Sequence, residues 1–107
     1  MSTDCIFCDI VKKEIPATIH YEDDKIVCFD DINPLAPVHI LIVPKKHIAT
    51  MDDVNDEDFD NYYAYMVKRA RILAKENNLK GYKLLMNVGK EAGQIVFHLH
   101  LHLLGYK

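Results

Sequence analysis

The 107-residue chain is half hydrophobic, carries only four glycines and four prolines, and has a formal charge of −3. That composition reads as one ordinary globular domain, residues 1–107, and excludes a disordered or fibrous chain. It offers no basic block for sequence-independent nucleic-acid binding, since Lys45-Lys46 is only a pair, and no run near the roughly 20 apolar residues of a membrane span.

Met1-Ser2-Thr3-Asp4 has neither the charged nor the apolar region of a secretory signal, so the expected setting is the cytoplasm. In a reducing compartment Cys5, Cys8 and Cys28 predict no disulfide framework, and Cys28 reads as a small core hydrophobe. Asp4 is the expected N-cap of a short amphipathic helix over residues 5–11, with Ile6, Phe7, Ile10 and Val11 at helical spacing and Pro16 as its limit. Ile19-His20-Tyr21 and Ile26-Val27-Cys28-Phe29 are β-rich runs joined by a hairpin turn at residues 22–25. After the turn-rich Asp31-Ile32-Asn33-Pro34 comes a third strand over residues 39–43, ended by Pro44.

Between residues 55 and 78 the apolar positions Phe59, Tyr62, Tyr63, Met66, Val67, Ala70, Leu73 and Ala74 recur at steps of three and four, predicting one long helix. Its acidic start and basic later turns suit the helix dipole, and the carboxylates there read as a solvated first turn rather than a metal site. Residues 82–88 predict a fourth strand, 89–94 a loop and 95–104 a fifth strand. Short connections favour antiparallel pairing. The expected architecture is α+β: a five-stranded antiparallel sheet with one long and one short helix, both on one face. Phe97, Leu99, Leu101 and Leu103 should meet the long helix, and a free sheet edge could pair with a second copy.

His98-Leu99-His100-Leu101-His102 places an imidazole on every second residue of that fifth strand, so the three share a face backed by apolar residues in antiphase. Neighbouring imidazoles there start from Cα atoms about 7 Å apart, and the outer pair about 13 Å apart. One metal could therefore take two of them, whereas three on one ion would need strong convergence. A division of labour fits better: one nucleophile, with flanking groups that orient it and manage protons. Just upstream, the glycine-containing turn from Gly89 to Gln94 can present backbone N–H groups to an anion.

The run Asn87-Val88-Gly89-Lys90-Glu91-Ala92-Gly93-Gln94-Ile95-Val96-Phe97-His98-Leu99-His100-Leu101-His102-Leu103-Leu104 resembles the signature of the histidine-triad (HIT) superfamily of nucleotide-binding hydrolases and transferases. The similarity extends to Ile6-Phe7, Glu14-Ile15-Pro16-Ala17, Tyr21-Glu22-Asp23-Asp24, residues 29–34 and residues 36–47, and it points most closely to the Hint branch, the purine nucleoside phosphoramidases. The resemblance implies attack by His100 on the α-phosphate of a nucleoside phosphoramidate or related nucleoside monophosphate derivative, through a nucleotidyl-histidine intermediate. His102 would help bind the phosphate, and His39 would stand beside the triad in a hydrogen-bonded relay. Asp31 would accept from the ribose hydroxyls. Ile6, Phe7, Ile10, Ile15, Phe29 and Ile32 would line the base pocket. Asn87, Gly93, Gln94 and the backbone of Ile95 would cradle the phosphate. The branch usually has Ser at the position of Ile95, where only a backbone N–H remains.

Relatives in the superfamily bind structural zinc through a Cys-x-x-Cys pair, the histidine after Pro-Lys-Lys and the first triad histidine. Here these are Cys5, Cys8, His47 and His98, an accepted Cys₂His₂ set. Such a site would clamp the N-terminal helix to the sheet and withdraw His98 from proton transfer. The implied partners are a purine nucleotide and a second copy of the chain, as a homodimer. Two other readings stand beside the phosphoramidase: a dinucleoside polyphosphate hydrolase, and a zinc- or nucleotide-binding module with little catalysis.

Overall fold

The structure, a computed structural model, describes residues 5–107. Helix α1 spans Ile6–Val11; Asp4, its expected cap, lies outside the described residues, and Cys5 fills the N-cap with its Sγ accepting from the Cys8 N–H at 3.2 Å. Five strands follow, β1 Ile19–Glu22, β2 Ile26–Asp30, β3 Val38–Pro44, β4 Gly81–Leu85 and β5 Leu101–Tyr106. They form one antiparallel sheet in the order β1-β2-β3-β5-β4. No helix among the described residues is long and apolar enough to cross a membrane.

The helices do not share a face, which corrects the one-sided packing expected from the sequence. Phe7 and Ile10 of α1 pack with Val27, Phe29, Leu41 and Val43, whereas the long helix packs with Ile26, Cys28, Ile40, Ile42, Leu101 and Leu103 on the opposite face. The reason lies in β2 and β3, whose four-residue runs Ile26 to Phe29 and Ile40 to Val43 are apolar without alternation. A strand of that composition needs cover on both sides.

The expected long helix runs without a break over residues 56–76, with one wider turn inside it. Asn55 caps α2, Asp56–Asp58, by accepting from the Asp58 N–H at 2.7 Å; a π-helical turn at Phe59–Tyr63 follows, then α3, Ala64–Glu76. The wider turn shifts the apolar stripe, so that Phe59 is exposed while Met66 and Ala70 are fully buried. Asp58 is the buried exception to the solvated acidic turn and receives Lys46 Nζ at 2.6 Å.

Asp23 fastens the β1–β2 hairpin to α3. Its Oδ1 accepts from the N–H groups of Lys25 at 2.8 Å and Ile26 at 2.9 Å, while its Oδ2 accepts from the hydroxyls of Tyr21 at 2.8 Å and of Tyr65. Burial pulls this carboxyl upward, but the donors from Tyr65, Ile26, Lys25 and Tyr21 outweigh it and hold it down to about 2. Asp23→Ala should destabilise the fold by about 2–4 kcal/mol, read as a lower denaturant midpoint with unchanged slope. Because the folded value lies below the usual 3.8, the wild-type contribution is complete above that pH and disappears as the solution is acidified towards 2. An Asp23→Ala difference that persisted undiminished at pH about 2 would contradict this.

The fifth strand is shorter than predicted and begins at Leu101, so only His102 of the three histidines sits in the ladder. Pro44 ends β3 without an N–H to donate, and its carbonyl accepts from His98 Nε2 at 2.7 Å in place of a backbone partner. Leu99 donates its N–H to Ile48 O at 2.6 Å. The alternation survives in part: Leu99, Leu101 and Leu103 are buried against the long helix, but Phe97 lies 43% exposed, outside the core.

Candidate active site and metal centre

Backbone partners fix the tautomers of His39, His98 and His100, because backbone groups are unambiguous donors or acceptors. His100 Nδ1–H donates to His98 O at 2.7 Å, which leaves the Nε2 lone pair free. The Leu35 N–H donates to His39 Nδ1 at 3.1 Å, so the neutral His39 ring carries its proton on Nε2 and donates it to His102 Nδ1 at 2.9 Å. His102 Nε2 then bears the remaining proton, and it is buried without a protein partner among the described residues. Burial lowers His100 and His39 below their usual 6.5 and pushes His102 and His98 down to about 4. At neutral pH the site therefore holds an uncharged imidazole with a free lone pair beside an unsatisfied N–H donor, a pairing chemically suited to attack on an anionic phosphorus centre.

These groups end a cavity of about 550 Å³, within the range of small-molecule sites. One side is apolar, built by Ile6, Phe7 and Ile10 of α1, then Ile15, with Phe29 of β2 and Leu41 of β3 opposite each other in register. The Phe7 ring stands edge-on to Phe29 at 5.6 Å and to His100 at 5.0 Å. Asn87, Gly93, Ile95, His100 and His102 also line the cavity, with His102 opposite Leu41 in register. Asp31 and Ile32, in the connection from β2 to β3, line it as well. Asp31 Oδ1 accepts from the Asn33 N–H at 2.8 Å, and Oδ2 lies 3.5 Å from His39 Nε2. Gly93 has φ 93°, a left-handed conformation that a side chain would strain.

Gln94 departs from the reading as a phosphate-cradling side chain. It is buried outside the cavity lining, accepts from the Gly89 N–H at 2.9 Å and donates to Ala49 O and Val96 O. It positions the loop that carries Gly93 and Ile95. Leu35 and Leu41 were missed as site residues. Leu41 could have been found from its place opposite Phe29; Leu35 lines the cavity and also donates its backbone N–H to His39 Nδ1, a contact for which side-chain identity carries no signal.

Two clusters bring potential metal ligands within 4.8 Å of one another: Cys5, Cys8, His47 and His98, and separately Asp31, His39 and His102. In the first, Cys5 Sγ lies 3.2 Å and Cys8 Sγ 3.4 Å from His98 Nδ1, Cys8 Sγ 3.1 Å from His47 Nδ1, and the two Nδ1 atoms 3.2 Å apart. The edges of a zinc tetrahedron with these ligand types measure roughly 3.3–3.8 Å. His98 Nε2–H is committed to Pro44 O, so Nδ1 presents its lone pair inward, the outer-sphere arrangement of a histidine ligand. The donor set fits zinc. The second cluster does not fit a metal: His39 Nε2 holds the proton that Nδ1 cannot take, and it serves as a hydrogen-bond relay.

Residues 12–107 match the HIT domain. Purine nucleoside phosphoramidase of Escherichia coli K12 is 42% identical over 106 residues, covering 98% of this chain and 89% of the relative. A HIT family hydrolase from Legionella pneumophila superposes with a TM-score of 0.92 at 51% identity, covering 97% of this chain and 94% of that one. This chain is a hydrolase of the HIT family. A zinc-bound histidine triad family protein from Mycobacterium smegmatis shares the HIT fold with a TM-score of 0.85 at 34% identity, over 97% of this chain and 76% of that one. Within the HIT fold, the strand order brings His39 of β3 beside His102 of β5 and leaves His98 on the α1 side, next to Cys5 and Cys8.

Proposed function

We infer that this HIT-family hydrolase cleaves purine nucleoside phosphoramidates, or related nucleoside monophosphate derivatives, at the α-phosphate. The observation that carries the reading is the free, neutral Nε2 of His100 next to the unpartnered Nε2–H of His102. The name of the 42%-identical relative supports the same chemistry. In the first step His100 Nε2 bonds to phosphorus as the P–N bond breaks, and the departing amine takes a proton from water at the cavity mouth. His98 O, accepting from His100 Nδ1–H, stabilises the positive charge that develops on the imidazole. His102 Nε2–H donates to a phosphoryl oxygen, held in that tautomer by His39. Water then attacks phosphorus as the Nε2–P bond breaks, the proton it sheds neutralises the hydroxide left when the amine was protonated, and the nucleoside monophosphate leaves. Splitting one displacement into two is the advantage of an imidazole nucleophile.

Asp31 binds the ribose hydroxyls, Phe7, Ile15 and Phe29 hold the purine, and Asn87 with the Gly93–Ile95 backbone faces the phosphate. Cys5, Cys8, His47 and His98 hold zinc, which supplies a structural clamp on α1. The protein acts in the cytoplasm as a homodimer: β4 ends the sheet with every residue exposed, an edge suited to pairing with a second copy.

Adenosine 5′-phosphoramidate incubated with the protein should yield AMP and ammonia, followed by phosphorus NMR. AMP binding without P–N cleavage above the uncatalysed rate would refute the reading. Since burial lowers the pKa of His100, the lone pair stays available below the usual 6.5. Single-turnover rates should be level from pH 8 to about 6.5 and fall only on further acidification. An acid limb with its midpoint above that value would contradict the assignment.

A further inference from the structure

Ile32, Leu35 and Ile95 are 87%, 73% and 89% exposed, whereas no other large hydrophobic among the described residues exceeds 44%. All three line the same cavity, the one that ends on His100 and His102. His100 itself is only 8% exposed, so it attacks from the floor. Phosphoryl transfer places attacking and leaving atoms roughly in line, so the leaving group departs away from the floor and towards the mouth. There it passes the most solvent-exposed part of the lining. That part is aliphatic, and the cavity lining contains no lysine or arginine; its formally charged residues are Asp30 and Asp31. Lys90, in the adjoining turn, does not line it.

Building on the phosphoramidase reading, we propose that Ile95, with Leu35, forms an apolar leaving-group subsite that selects nucleoside phosphoramidates of uncharged alkyl or aryl amines over those whose amine carries a carboxylate. An alkyl chain leaving the phosphorus covers aliphatic surface that otherwise faces water. A carboxylate at the same place meets no cation and is repelled by the two aspartates, so the selection has an attractive and a repulsive part.

The test compares adenosine 5′-phosphoramidates of hexylamine and of 6-aminohexanoate, whose reacting amines are alike and whose far ends differ. The wild-type kcat/KM should favour the hexyl compound by about tenfold or more. Ile95→Lys should reverse that order, and Ile95→Ser should shrink the hexyl advantage; at 89% exposure neither change threatens folding. Equal kcat/KM for the two compounds, both being cleaved, overturns the subsite and leaves the phosphoramidase reading standing. Cleavage of neither overturns the phosphoramidase reading, and the subsite with it. A third outcome also overturns the subsite: Ile95→Lys converts a dimer to a monomer in sedimentation while the substrate ratio stays unchanged, which assigns the apolar rim to a second copy of the chain.

Discussion

His100→Ala is expected to lower kcat for adenosine 5′-phosphoramidate by at least about 10⁴-fold while AMP binding changes by less than about tenfold. The two effects should separate because, in the proposed mechanism, the imidazole supplies a bond to phosphorus, whereas nucleotide affinity is spread over the α1 wall, Asp31 and the loop carrying Gly93. His102→Ala should cost less, about 10²–10³ in kcat, since it removes one donor to the phosphoryl group. His39→Ala should resemble His102→Ala, because without the His39 Nε2–H the His102 ring is free to place its proton on the wrong nitrogen. Rapid-quench measurement of the first turnover, with calorimetric titration of AMP, checks all three. A His100→Ala protein retaining a tenth of wild-type kcat would remove this residue from covalent chemistry.

Removal of metal is expected to lower the melting temperature by roughly 10 °C, equivalent to about 2–3 kcal/mol for a domain of this size. Helix α1 has six residues, too few to persist unaided, and buries only Phe7 and Ile10 against the sheet. Its N-cap Cys5 and its Cys8 belong to the proposed zinc site, so the ligands that hold the ion also anchor the helix. Cys8→Ser should reproduce the loss without chelator. Because Ile6, Phe7 and Ile10 also line the cavity, AMP affinity should fall along with stability. Elemental analysis of protein purified without added zinc, with melting curves before and after chelation and re-addition, decides the matter. A full melting temperature in protein holding far less than one metal per chain would exclude a structural role.

Much of the site was legible before any tertiary contact was known. The alternation of His98, His100 and His102 with Leu99, Leu101 and Leu103 stated which side chains face the core, and the leucines do. Resemblance to the HIT signature selected Cys5, Cys8, His47 and His98 from distant parts of the chain, and the structure brings them within 4.8 Å. The both-sided burial of β2 and β3 was also written in their unbroken apolar runs, although a count of helices pointed to one covered face. Periodicity could not foresee the π-helical turn, because inserting a residue into one turn leaves the local spacing of apolar residues nearly intact.

The chain sequence alone determined which side chains are equipped for the chemistry and how they alternate, since period-two geometry and residue type are local properties. Only the tertiary structure decided what each does. His98 turns its Nδ1 lone pair towards Cys5, Cys8 and His47 because Pro44 O claims its Nε2–H, His102 carries its free proton on Nε2 because Leu35 and His39 dictate its tautomer, and Gln94 braces a loop because three backbone groups surround it. Protonation state and hydrogen-bond partner are set by groups distant in sequence, and no pattern along the chain encodes them.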